Sequence, residues 1–170
     1  MATSALTVDI TPLKRKPGTQ HHFELSFPPP EGVVLETAEV RATQLHLDLK
    51  LEGAGEELIA FGQILVDWTG PCRRCLEDRD GTTTITLREV FQARPVEGET
   101  YLLAENEADL EPMVREAVLL NLPVAPLCSE DCAGPDPDRF PTTVVVEPDP
   151  DEPPPADPRW AALSEITFNE

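Results

Sequence analysis

Apolar and polar residues alternate along much of the first half of the chain, and this period of two predicts β-strands. The clearest run covers residues 44–51, where four leucines alternate with polar side chains. Shorter runs over residues 6–10 and 22–27 show the same alternation. Because such alternation is typical of strands with one buried face, the pattern predicts a mainly antiparallel sheet.

Two further strands are predicted on either side of the first cysteine pair, over residues 58–69 and 82–91. The apolar residues of the first of these strands change parity near Gly62, so we expect a β-bulge at this glycine. Phe61 and Trp68, the aromatic residues of the same strand, are predicted to lie in the core.

One main helix is predicted after the strands. Apolar residues recur at helical spacing from Leu110 to Val118, Asp109 can cap the first turn, and Pro112 suits that turn. Pro123 ends the pattern. The predicted fold class is therefore α+β, with a curved, mainly antiparallel sheet and one main helix. The pattern leaves open whether the sheet closes into a barrel.

Composition divides the chain of 170 residues into three parts. Residues 1–134 contain the predicted strands and helix. Residues 135–156 are rich in proline and acidic residues, which predicts an extended, disordered linker. Residues 157–170 form a tail that begins with a capping aspartate and a proline, and a short helix containing Trp160 is predicted there.

The charge is strongly negative and unevenly placed, with a formal net charge of −19. Residues 1–100 contain 10 Lys+Arg against 16 Asp+Glu, a net of −6, whereas residues 101–170 contain 3 against 16, a net of −13. Such a surface repels phosphate backbones and argues against broad nucleic-acid affinity. It suits a basic protein partner, although solubility alone is the simpler interpretation of the charge.

No segment resembles a secretory signal or a membrane span. Residues 1–10 lack an apolar core, and no stretch approaches the roughly 18 apolar residues that cross a bilayer. We therefore expect a cytoplasmic protein without membrane contacts. In that reducing compartment, paired cysteines are more often metal ligands or redox groups than structural disulfides.

The four cysteines form two close pairs, Cys72 with Cys75 and Cys128 with Cys132. Two short-spaced pairs far apart in sequence are a common way to build one tetrahedral site, so a structural Zn²⁺ is the leading interpretation. Reduced structural thiols and an iron–sulfur cluster are alternatives. A catalytic dithiol is disfavoured, because the thioredoxin motif opens a helix and here a strand is predicted to follow.

Arginines surround the first cysteine pair, at Arg73, Arg74, Arg79 and Arg88. One interpretation is a local RNA contact, to which Arg73 and Arg74 would contribute most directly. The other is charge balance, because acidic residues within residues 77–80 cancel much of the positive charge. We favour charge balance, since a nucleic-acid footprint usually needs a clear basic excess.

Three segments resemble a known family. Residues 70–76, with Glu89 and Phe91 downstream, resemble the C-x-R-C-L … E-x-F pattern of the YceD family, named for large ribosomal RNA subunit accumulation. Residues 109–134 are similar to the family's helix and second cysteine segment, and residues 157–163 are similar to its usual ending. The two cysteine segments in this order, with a helix between them, make the resemblance fairly specific.

The resemblance implies a non-enzymatic ribosome-biogenesis factor that supports synthesis, processing or stability of 23S ribosomal RNA. Taken with the acidic charge, it predicts a basic ribosomal or RNA-processing protein as partner, with pre-ribosomal RNA as a further candidate. The alternatives are a direct RNA-binding module that uses the arginine-flanked cysteine turn, and a thiol-redox protein.

The chain departs from the family after Gly134. Many members have a third cysteine pair at this point, whereas here residues 135–138 read Pro-Asp-Pro-Asp. If the family's later cysteines alone bound a metal, the site would be missing. If the site joins Cys72 and Cys75 to Cys128 and Cys132, it is complete, and we favour this second possibility.

Overall fold

The computed structural model describes residues 6–16 and 18–140 of the chain. Its helices are α1 (Thr11–Arg15) and α2 (Glu111–Asn121). Its strands are β1 (Thr7–Asp9), β2 (Gln20–Phe27), β3 (Val34–Leu35), β4 (Val40–Ala54), β5 (Glu57–Pro71), β6 (Asp78–Gln92), β7 (Tyr101–Leu102) and β8 (Glu107–Asp109). Most of the predicted linker and the whole predicted tail helix lie outside the described residues.

The main sheet has the strand order β2-β4-β5-β6-β7, and β3 also pairs with β4. Its pairings are antiparallel except that between β6 and β7, which is parallel. Strands β1 and β8 form a separate antiparallel pair. The α+β class with one main helix is thus confirmed. Within the described residues β2 and β7 remain edge strands, so the sheet is open and does not form a barrel.

The inner face of the sheet forms the core, as the leucine pattern predicts. Leu45, Leu47, Leu49 and Leu51 of β4 are all at most 1% exposed. Helix α2 contacts β6, and its buried side chains join the same cluster. Burying each large apolar side chain contributes roughly 1.5–3 kcal/mol to folding. This packing fixes the end of α2, and with it the second cysteine segment, relative to the sheet.

The predicted bulge at Gly62 is wrong. Strand β5 pairs without a register shift through Gly62 on both sides, opposite Leu49 of β4 and Leu87 of β6. The register shift lies instead between Ala42 and Gln44 of β4. The change of parity does not mark a bulge here, because apolar residues occupy both faces of β5 while its buried side chains all share one face.

The two aromatic residues of β5, Trp68 and Phe61, lie on opposite faces of the sheet. Trp68 packs against the core, and its indole N–H donates to Thr83 Oγ1 over 3.0 Å. Phe61 has the opposite parity from the buried residues of its strand and lies half-buried on the outer face. The core assignment predicted for Phe61 is therefore wrong, because its neighbour Ala60 occupies the inward position.

Helix α2 begins close to its predicted position. The Asp109 carboxylate accepts a hydrogen bond of 3.0 Å from the Glu111 N–H, and Leu110 occupies the cap position itself. The chain becomes extended at Leu122, just before Pro123. No helix within the described parts of the chain is long and apolar enough to cross a membrane.

Candidate metal centre

The first cysteine pair lies in the turn between β5 and β6, as the sequence predicts. The Cys72 N–H donates to the Glu77 carbonyl over 2.8 Å, and the Leu76 N–H donates to the Cys72 carbonyl over 2.9 Å. Leu76 has φ +64°, a left-handed conformation that turns the chain back sharply. The turn therefore presents Cys72 and Cys75 on one side of the hairpin tip.

The second cysteine pair follows α2 and docks on this tip through the backbone. The Arg73 N–H donates to the Pro126 carbonyl over 2.9 Å, which places the two segments side by side. Within the second segment, the Cys132 N–H donates to the Ser129 carbonyl over 3.2 Å. The hairpin of the sheet and the end of the helix thus meet at the cysteines.

The four sulfur atoms converge on one point. Each lies within 4.8 Å of the others, with 3.9 Å from Cys72 to Cys132 and 3.9 Å from Cys75 to Cys128. Zinc–sulfur bonds of about 2.3 Å in a tetrahedron place sulfur atoms about 3.8 Å apart, whereas a disulfide requires about 2.05 Å. All four thiols are free. The arrangement is therefore compatible with a structural metal ion.

Backbone N–H groups and burial shift the pKa values of Cys72 and Cys132 in opposite directions. The N–H groups of Cys75, Arg74 and Cys128 act on the Cys72 sulfur and lower its pKa to about 6. At Cys132, a backbone hydrogen bond from Gly134 lowers the pKa, but interaction with Cys128 and burial outweigh it and raise the pKa to about 11. Backbone N–H groups therefore favour the thiolate form of Cys72, whereas burial and the neighbouring thiols favour the neutral form of Cys132.

The arginines around the site have different roles. The Arg74 guanidinium donates to the carbonyls of Glu130, over 2.6 Å, and Cys132, over 3.1 Å, and so joins the two cysteine segments. The Arg73 side chain is exposed, and no described residue pairs with it. Arg74 is therefore engaged within the site, while Arg73 is accessible.

Arg79 and Arg88 lie far apart on β6. Burial lowers the pKa of the Arg79 guanidinium, but the charges of the nearby Cys128 and Glu77 outweigh this effect and raise it. Arg88 is nine residues further along the strand, about 30 Å away at the usual rise per residue. Arg79 therefore lies near the cysteine sulfurs, as predicted, whereas Arg88 does not lie near the first cysteine pair.

A sequence profile described as "Large ribosomal RNA subunit accumulation protein YceD" matches residues 61–167, which include both cysteine segments. The chain belongs to the YceD family. The family's description is that of a factor for ribosomal RNA accumulation and names no enzymatic activity. The resemblance seen in the sequence is therefore confirmed.

Relatives within the YceD family are uncharacterised proteins of mycobacteria. Those of Mycobacterium bovis and Mycobacterium tuberculosis are 31% identical over 171 residues, covering 96% of this chain and 82% of theirs. The Mycobacterium leprae protein is 32% identical over 174 residues, covering 96% and 78%. No solved structure matches the chain.

The outer face of the sheet of this YceD protein holds a polar network that sequence reasoning missed. Ser26 Oγ lies 2.8 Å from His46 Nδ1, and His46 Nε2 lies 3.5 Å from Asp67. A serine hydrolase uses Nε2 toward the serine, the reverse of this order. His46 and Asp67 are also 42% and 39% exposed on an open face. We interpret the contacts as cross-strand pairs that stabilise the sheet.

The contact between Arg74 and the second cysteine segment makes a first prediction. We expect Arg74→Ala to lower the free energy of unfolding by about 1 kcal/mol, because two carbonyls lose a charged donor at a partly exposed site. Chemical denaturation of the purified protein measures this change. Arg73→Ala is the matched control, and we expect a change below about 0.5 kcal/mol. Equal effects of the two substitutions would show that Arg74 does not join the segments.

Proposed function

We propose that this protein is a non-enzymatic cytoplasmic factor that supports the accumulation of 23S ribosomal RNA by binding a basic ribosomal or RNA-processing protein. The observation that supports this proposal is the family match over residues 61–167, which covers both cysteine segments. The family is named for large-subunit ribosomal RNA accumulation. The proposal extends that description to a mechanism through a protein partner.

The charge of the molecule favours a protein partner over RNA. With a net charge of −19, the surface repels a phosphate backbone at long range and attracts a basic protein. Many ribosomal proteins are basic, and before assembly no RNA neutralises their charge. Binding such a protein before it reaches the RNA is a role that an acidic protein can fill without any catalytic group.

Depletion of the protein tests the proposed function. We expect the ratio of 23S to 16S ribosomal RNA to fall, because large-subunit RNA that is not assembled correctly is degraded. Quantitative RNA gels before and after depletion measure the ratio, and re-expression of the wild-type chain should restore it. An unchanged ratio under complete depletion would refute the proposal.

Direct RNA contact through Arg73 is a second candidate, favoured by the exposed and unpaired guanidinium at the hairpin tip. Phosphate contacts would make RNA binding fall steeply with salt, and Arg73→Ala would flatten that dependence. Because Arg74 contacts the second cysteine segment, Arg74→Ala tests the fold of the site as much as RNA contact.

The proposal for the cysteine site itself is a structural zinc ion held by Cys72, Cys75, Cys128 and Cys132. The convergence of the four sulfurs within 4.8 Å supports it. A zinc ion bound by four thiolates leaves no open position for water or substrate, so it would clamp the hairpin to the end of α2. The site would thereby hold the second cysteine segment against the sheet.

A further inference from the structure

A groove lies outside the cysteine site, beside the acidic segment 95–112. Its volume is about 640 Å³, within the range of roughly 300–1,000 Å³ that is typical of ligand sites. Its lining comes from strand β1, the segment 95–104, strand β8 and the first turn of α2. Apolar side chains, including Pro95, Leu102 and Pro112, make up much of this lining.

One wall of the groove is held in place by hydrogen bonds. The Val96 N–H donates to Thr100 Oγ1 over 2.8 Å, and the Thr100 N–H donates back to the Val96 carbonyl over 3.0 Å. Gln92 also donates to Thr100 Oγ1 over 2.8 Å, which ties the loop to β6. The groove is therefore shaped before any partner binds, which lowers the entropic cost of binding.

An exposed apolar side chain, Leu102, lies beside this wall of the groove. Tyr101 is fixed by its hydrogen bond of 2.8 Å to Glu116 and by its ring contact with Phe91. The next residue, Leu102, also lines the groove and is 62% exposed. Leu102 therefore offers a partner side chain an apolar surface next to a rigid element.

The charge of the groove has one sign. Glu97, Glu107 and Asp109 line it, and among the described residues no lysine, arginine or histidine does. Residues 95–112 include six acidic residues and no Lys or Arg. The Lys14 ammonium donates to the Glu105 carbonyl but does not line the groove. The groove thus complements a ligand that combines positive charge with an apolar group.

We infer that this groove binds a lysine- or arginine-rich segment of a protein partner, with an apolar side chain of that segment placed against Leu102. The inference rests on the proposed function, because it names the surface that would bind the basic partner. Nucleic acid does not fit, since the carboxylates would repel its phosphates. A basic peptide supplies both the positive charge and the apolar side chain that the lining requires.

The test uses the full chain, labelled with nitrogen-15, and a short synthetic peptide of lysines around a central leucine. We expect amide shifts concentrated in residues 95–112. Leu102→Ser and the double variant Glu97→Gln/Glu107→Gln should each weaken binding about tenfold, through lost apolar contact and lost charge attraction. Replacing the central leucine of the peptide by serine should weaken binding to the wild-type chain similarly.

The control variant Glu24→Gln/Glu36→Gln removes the same charge from exposed positions that do not line the groove. We expect it to change the affinity less than twofold. Shifts spread over the whole surface, or equal weakening by control and groove variants, would overturn the inference. The depletion experiment remains independent, because an unchanged 23S ratio refutes the proposed function whatever the peptide does.

Discussion

Replacing Cys72 by serine is expected to abolish binding of the proposed zinc ion and to lower the melting temperature on the order of ten degrees. Cys72 is fully buried, and its sulfur accepts hydrogen bonds from backbone N–H groups of both cysteine segments. Losing one of the four proposed ligands would leave three thiols crowded in the same space, with too few sulfur ligands for the closed zinc site. The hairpin tip and the end of α2 would then be joined only by hydrogen bonds.

Metal content by inductively coupled plasma mass spectrometry, together with thermal unfolding, measures both effects. We expect one zinc per wild-type chain and none in Cys72→Ser or Cys128→Ser, because the two cysteines come from different segments of one site. Ser129→Ala, in the same loop and exposed, is the control and should retain both the metal and the melting temperature. A wild-type chain with four titratable thiols and no metal would contradict the zinc proposal.

The long strands and the main helix were predictable because their signals are strong and local. The leucines of residues 44–51 are buried on one face as their spacing requires, and α2 spans Glu111–Asn121 between its predicted capping residue and Pro123. The grouping of the four cysteines was also predictable, since the strand–turn–strand pattern and the helix leave few other places for two short-spaced pairs.

Other features depend on tertiary contacts that leave little trace in sequence. Arg73 and Arg74 are neighbours of the same type, yet only the Arg74 guanidinium joins the second cysteine segment. Strand β7 has only two residues, too few for any periodicity to reveal it, and it pairs in parallel with the end of β6. The groove beside Leu102 arises from this pairing and was therefore not predictable either.

We expect Gly62→Ala to cost about 3 kcal/mol or more of the free energy of unfolding. A Cβ atom at this position would lie 2.2 Å from the Asp48 carbonyl oxygen and 3.0 Å from the Leu49 Cα, both atoms of the neighbouring strand's backbone. The glycine also has φ +146°, which alanine adopts only with strain. Relief would require β4 and β5 to separate where the buried leucines pack.

Gly55→Ala is the matched control, because Gly55 also has a positive φ, of +70°, but nothing lies within 4 Å of its added Cβ. Left-handed strain alone predicts a loss of about 1 kcal/mol there. Urea denaturation of the two variants measures the difference between them. Equal losses would mean that backbone strain, and not the close approach of β4 to β5, explains why a glycine occupies the middle of a 15-residue strand. A larger loss at Gly62 would show that the close approach of β4, together with the wider positive φ, requires a glycine here.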